Sequence, residues 1–287
     1  MHLSTVESVL TYEVRQPAHL CFNLEAARWP TQDIVGEQLS VWPPVALRTF
    51  EDAASGNRFF RFDAMPGPLE VRYKADVEVH AEPVRAPLAE VPVSELPDDL
   101  LPYLMPTRYC ESDVLCGFAR ERFGHLPPGL ARVGHIVDWV RGTLEYRVGS
   151  TCSTTTAQAA LAQRAGVCRD FAHVGIALCR ALNIPARLVA GYVWFDEPPQ
   201  DFHAMFEAWL GGRWVMFDAT GMAPVDRLVR IGTGHDAKDV AFSTIYGDVR
   251  MTGKRVSVLE HDPREPATPT APALVAPRAP VASTLAG

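Results

Sequence analysis

Two adjacent glycines, Gly211 and Gly212, divide a run of alternating residues into the arms of a β-hairpin. A two-residue loop fixes the register: Leu210 opposes Arg213, Trp209 opposes Trp214, and, continuing, Met205 opposes Asp218 and His203 opposes Thr220. Alternation then sorts the side chains into two faces. His203, Met205, Glu207 and Trp209 share one with Trp214, Met216, Asp218 and Thr220. Ala204, Phe206, Ala208, Leu210, Val215, Phe217 and Ala219 share the other, which is apolar and reads as the core side. The first face is therefore expected to front a site. There His203 and Asp218 are diagonal neighbours, about 7–8 Å apart before their side chains close the gap. A slip of one residue would send Asp218 into the core and separate the pair.

Upstream, Ala165-Gly166 forms a tight turn before Val167-Cys168-Arg169-Asp170-Phe171-Ala172-His173. The apolar spacing of Phe171, Val174, Ala177, Leu178 and Ala181 predicts a helix from Cys168 to Leu182, stopped by Asn183 and Pro185. A helix N-terminus presents unpaired N–H groups with partial positive charge, and a thiol placed there is favoured as thiolate, the nucleophilic form. With His203 as base and Asp218 as orienter, Cys168 completes a nucleophile–base–orienter set. Taken singly, each has a duller reading: a buried thiol, a strand histidine, a strand-end acid. The three in register favour the chemical one. Asp170 is read as a first-turn acid favoured by the helix dipole, and His173, on another helical face, as structural. Cys179 reads as core, Cys152 as packing, and Trp209 with Trp214 as a cross-strand pair, with lining of an acyl groove as the alternative. Tyr146 and Arg187 receive no assignment.

The whole chain, 287 residues long, suits two modest domains. Strands are predicted at 20–24, 37–42, 59–65 and 69–80, giving a small antiparallel β domain over residues 1–85. Proline-rich residues 81–98 read as a connector. Helices are predicted at 112–123 (N-cap Ser112), 127–144 and 156–164 (a Thr155-x-x-Gln158 capping box), and strands at 186–195, 202–210 and 213–220. Residues 86–261 form the expected core, and the proline- and alanine-rich 262–287 are expected to be disordered. A net charge of -7 argues against a nucleic-acid or anionic-membrane partner. No basic and apolar leader opens the sequence, and six cysteines without regular spacing read as reduced thiols, so a cytoplasmic location is expected. No zinc spacing or H-E-x-x-H occurs, and neither metal nor organic cofactor is expected.

These segments together resemble the transglutaminase-like superfamily, which shares a papain-like core. Gly166 to His173 is similar to its nucleophile motif. Asn183 to Tyr192 resembles the following helix end and strand, Phe202-His203-Ala204 its histidine strand and Trp214 to Thr220 its aspartate strand. The N-terminal β region resembles that of a bacterial subgroup. Met205 and Ala219 depart from the family's frequent Trp and Pro. The resemblance implies an α+β fold, helices packed on an antiparallel sheet, with Cys168 attacking an amide or peptide carbonyl to form a thioester. His203 would move the proton, Asp218 would hold the imidazole, and the Cys168 N–H would join an oxyanion hole. A peptide or protein substrate is expected, with hydrolysis (peptidase or amidase) preferred because water needs no second binding site. The alternatives are acyl transfer to an amine by a transglutaminase, and a catalytically silent peptide-binding module.

Overall fold

The computed structural model describes residues 2–53, 55–84, 87–261 and 273–275. The chain opens with six strands: β1 His2–Val14, β2 Ala18–Phe22, β3 Gln32–Trp42, β4 Arg48–Glu51, β5 Arg58–Ala64 and β6 Gly67–Val79. A short β7 (Glu82–Pro83) and two 3₁₀ turns, Val93–Glu95 and Asp98–Leu104, lead to the helices. These are α1 (Cys116–Phe123), α2 (Leu130–Thr143), α3 (Ala157–Gln163) and α4 (Cys168–Ala181), with two-residue strands β8 (Glu145–Tyr146) and β9 (Ala165–Gly166) before and after α3. Then follow β10 (Ala186–Tyr192), β11 (His203–Leu210), β12 (Arg213–Phe217), β13 (Val229–Gly234), β14 (Ser243–Tyr246), β15 (Val249–Glu260) and β16 (Ala273–Val275).

Strict alternation makes β6 a half-buried strand. Leu69, Val71, Tyr73, Ala75, Val77 and Val79 point inward between polar neighbours. They meet Leu20, Phe22, Phe60 and Phe62 in one core between two four-stranded sheets, ordered β15-β1-β6-β3 and β14-β2-β5-β4. Two strands of this sandwich come from the far end of the chain: β14 pairs with β2, and β15 with β1. The expected boundary, with 86–261 wholly in the core, is corrected here, because 243–260 complete the N-terminal sheets. Such long-range pairing leaves no local signature. Strand β1 escaped prediction because Ser4 and Ser8 occupy its buried face and blur the alternation.

The core sheet runs β13-β10-β11-β12-β16-β7. Helix α4 lies on it, buried at every residue from Asp170 to Ala181, enclosed by the sheet and by α1, α2 and α3. The sandwich packs on β10 and β13: Tyr192, Val229 and Ile231 join its core, and the Tyr192 hydroxyl donates to the Leu24 carbonyl at 2.8 Å. Helix starts differ from expectation by a few residues. Ser112 does not cap α1, whose N-cap is Leu115, and Thr156 rather than Thr155 caps α3, accepting from the Ala159 N–H. Of the tail expected to be disordered, 273–275 form β16 against β12, and 262–272 and 276–287 lie outside the described residues. No described helix is long and apolar enough to cross a membrane. Among the described residues, no cluster of three or more His, Cys, Asp or Glu is placed to hold a metal ion.

Candidate active site

Cys168 is the first residue of α4, as its position after the Ala165-Gly166 turn predicts. The turn is held from both sides. Tyr146 pairs with Gly166 in the parallel β8–β9 ladder, and the Arg147 N–H donates to the Gly166 carbonyl at 2.9 Å. Asp170 does more than answer the helix dipole. Its carboxylate accepts from the Val167 N–H at 2.9 Å and the Thr151 hydroxyl at 2.7 Å, and pairs with Arg169 at 3.2 Å. A Cβ on Gly166 would come within 2.7 Å of the Asp170 Cβ, so the glycine is what lets this cap close. The capped mouth fixes the direction of the Cys168 side chain, whose Sγ lies 3.9 Å from the Phe202 carbonyl oxygen, next to His203.

The hairpin register is as the two glycines predict over five pairs, from Leu210↔Arg213 to Phe206↔Phe217. Beyond Phe217 the strand ends, and Asp218 starts a turn instead of pairing with Met205. That turn is a cradle for the carboxylate. Oδ1 accepts from the Thr220 N–H (2.9 Å) and hydroxyl (2.7 Å), and Oδ2 from the N–H groups of Met222 (3.1 Å) and Ala223 (3.0 Å). Arg141 of α2 donates to the Asp218 carbonyl at 3.1 Å. A Cβ on Gly221, at φ +69°, would meet its guanidinium at 2.5 Å.

Asp218 Oδ2 stands 3.3 Å from His203 Nε2, and both side chains are fully buried. The contact is too poorly aligned for a hydrogen bond in the resting protein, a common state for groups that tighten on substrate. Burial alone would lower the His203 pKa. The Asp218 carboxylate and then the Cys168 thiol outweigh it and push it up to about 10. Burial would likewise raise the Asp218 pKa, but His203, Thr220 and Ala223 hold it below its ordinary value. Phe195 covers the imidazole, ring centroids 5.5 Å apart.

The sign of the His203 shift sets a pH dependence. A histidine raised from 6.5 to about 10 contributes stability that is complete below pH 6.5 and lost as pH climbs toward 10. The gap in thermal midpoint between the wild type and His203→Gln is therefore expected to be wide at pH 6 and to narrow by pH 10. A gap that stays constant or widens contradicts the assignment.

The three residues singled out from the sequence thus come together. The expected open face does not: Met205, Trp209, Trp214 and Met216 are buried against Leu96, Leu100, Val225 and Leu228 in a second core. On that face Glu207 is fully buried between Arg187 (Nε to Oε2, 2.6 Å) and Arg230. Arg187 lies 4.0 Å over the Trp214 ring, and Arg230 4.6 Å over Trp29. Trp209 and Trp214 pack edge to face, centroids 5.4 Å apart. His173 is buried, stacked on Tyr109, with Nε2 accepting from the Ala237 N–H. Cys152, read as packing, is exposed. Thr154 and Thr155 lower its thiol pKa to about 7.

Tyr146 went unassigned in the sequence, yet its hydroxyl is within reach of both the backbone N–H and the thiol of Cys168. Burial first, and the Cys168 thiol second, raise its pKa. The parallel two-residue pairing that places it carries no sequence signal. A cavity of about 400 Å³ opens beside Cys168 and His203 and is lined in part by Asn23, Phe242 and Lys254, from the sandwich side.

Models of known families match this arrangement. The core of the transglutaminase-like superfamily matches residues 118–219, and the bacterial transglutaminase N-terminal domain residues 2–99. A candidate cysteine protease from Cytophaga hutchinsonii has a similar solved structure. It has a TM-score of 0.89 and 40% identity, covering 96% of this chain and 97% of that one. An uncharacterised protein of Mycobacterium leprae is 30% identical over 148 residues, and one of Mycobacterium bovis 38% identical over 109. The alignments take in 48% and 33% of this chain, which spans about half (52%) and about a third (35%) of those proteins' lengths. The chain belongs to the transglutaminase-like superfamily, whose catalysis is cysteine-based, and carries the bacterial N-terminal domain.

Proposed function

We propose that the protein is a cysteine-nucleophile hydrolase acting on peptide or amide bonds. The observation that carries this reading is the thiol of Cys168 at a capped helix mouth, beside a buried imidazole whose affinity for a proton a buried carboxylate raises. Cys168 passes its proton to His203 and attacks the carbonyl carbon. The oxyanion forms between the Cys168 N–H and the Tyr146 hydroxyl. As the C–N bond breaks, His203 returns the proton to the departing amine, leaving a thioester on Cys168. Water, deprotonated by His203, then releases the acid. Asp218 holds the imidazole in place throughout, because its own carboxylate is fixed by four donors. No step calls for a metal or an organic cofactor. The expected site of action is the cytoplasm.

The first half-reaction is shared with acyl transfer, so the test follows the acyl group. The full chain is incubated with casein and with glutamine-bearing peptides, with and without a dansylated primary amine, and the products are weighed by mass spectrometry. Free acids or peptide fragments, unchanged in amount by the amine, are the expected result. Amine-tagged glutamine as the main product would replace hydrolase by transglutaminase.

A further inference from the structure

The cavity beside Cys168 has two owners. One wall is the core sheet, through Leu188, Ala190 and Ala204. The opposite wall, with Phe242 and Lys254, comes from the segment that closes the N-terminal sandwich. The join between them is specific. The Phe242 ring stacks on Phe202, the residue before His203, with centroids 5.1 Å apart. The Asn23 N–H donates to the Phe242 carbonyl at 3.2 Å, extending the β2–β14 ladder up to the cavity. Lys254 of β15 reaches over to Asp201 at 2.5 Å and lies 5.7 Å over the Phe242 ring. The sandwich is therefore built into the site's wall rather than hung beside it.

The chemistry of the walls is apolar. Ala190 and Ala204 face each other across β10 and β11 with their backbone groups used in the ladder, and Ile231 and Val240 add aliphatic surface. The charges at the mouth cancel locally, Lys254 against Asp201 and Arg169 against Asp170. At about 400 Å³ the space lies within the usual range of ligand pockets, roughly 300–1,000 Å³. Water held against such walls has few partners, and an apolar group displaces it favourably. The lining includes both Cys168 and His203 and runs past Tyr109 and Ala237, which pack on His173 of α4. The acyl group becomes bonded to Cys168, which lines the cavity, so the cavity is placed to hold the side chain on the acyl side.

We infer that this cavity is the acyl-side subsite, that it selects a large aliphatic or aromatic side chain next to the attacked carbonyl, and that the sandwich supplies one of its walls. The inference rests on the nucleophile reading above, and its test separates the two. Acetyl-alanyl chloromethyl ketones ending in Leu, Phe, Gly, Gln or Glu are added to the full-length wild type. The thiolate of Cys168 displaces chloride to form a thioether, and the rate is followed by peptide mass spectrometry. The Leu or Phe probe is expected to label Cys168 at least about ten-fold faster than the Gly, Gln or Glu probe, the smaller end of what a hydrophobic pocket discriminates. In Ala190→Leu, which fills the cavity, that preference is expected to disappear. Equal rates across the series in the wild type overturn the subsite and leave the nucleophile standing. Fastest labelling by the Gln probe also overturns it, in favour of a carboxamide pocket. No labelling of Cys168 by any probe removes the nucleophile reading and the subsite with it.

Discussion

Cys168→Ala is expected to abolish turnover of any amide the wild type cleaves, by roughly 10⁴-fold or more, as removal of a covalent nucleophile does elsewhere. The variant deletes one sulfur at a cavity mouth and leaves the cap of α4, the Asp218 cradle and both cores untouched. Its thermal midpoint should therefore stay within about 2 °C of the wild type, since partly exposed positions away from core and network features change stability little. The two measurements together, amide turnover and thermal unfolding, separate lost chemistry from lost fold. A variant that keeps a tenth of the wild-type rate would show that Cys168 is not the nucleophile. Cys152, exposed and of lowered pKa, is the control, and Cys152→Ala should keep activity.

Glu207→Ala is expected to be the most damaging single change to stability. Burial pushes the Glu207 pKa up, but Arg187 and Arg230 more than reverse this and hold it below its ordinary value. The carboxylate stands alone between the two guanidiniums, with tryptophan rings over both. Removing it leaves two buried like charges facing an empty space. Deleting one partner of a buried ion pair costs about 3–5 kcal/mol, a large part of a typical total of about 5–15 kcal/mol. For a chain of this size that corresponds to a fall in thermal midpoint of about 5–8 °C. Glu207 lies on the strand that carries His203, so activity should decline with the fold. A midpoint within about 2 °C of the wild type would mean that the Arg187–Glu207–Arg230 cluster adds little to stability. Glu207→Gln, which keeps the shape and loses the charge, should fall between the two.

How much was readable in advance depended on the range of the contact. The glycine pair at 211–212 set the hairpin register because a two-residue loop leaves the strands no choice. The start of α4 at Cys168 was readable for a similar local reason: turn, then apolar period. The face assignment failed because both faces of β11 and β12 are apolar. Met205, Trp209, Trp214 and Met216 are as fit for burial as Phe206 and Phe217, and Glu207 disguised the face as polar while its two arginines sat on other strands. The Asp218 cradle depends on a turn after the strand, and Tyr146 on a parallel pairing with Gly166 twenty residues away. Neither follows from periodicity.

Strands β14 and β15 cover β2 and β1, so the first strands made are the last to be completed. On the ribosome, β1 and β2 leave the tunnel some 230 residues before the partners that shield their edges. The finished sandwich, and with it the Phe242 and Lys254 wall of the cavity, exists only when translation has passed residue 260. A chain cut short between residues 221 and 241 would hold Cys168, His203 and Asp218 and lack the Phe242 and Lys254 wall of the cavity. The same late segment thus closes the edges of β1 and β2 and supplies one wall of the cavity.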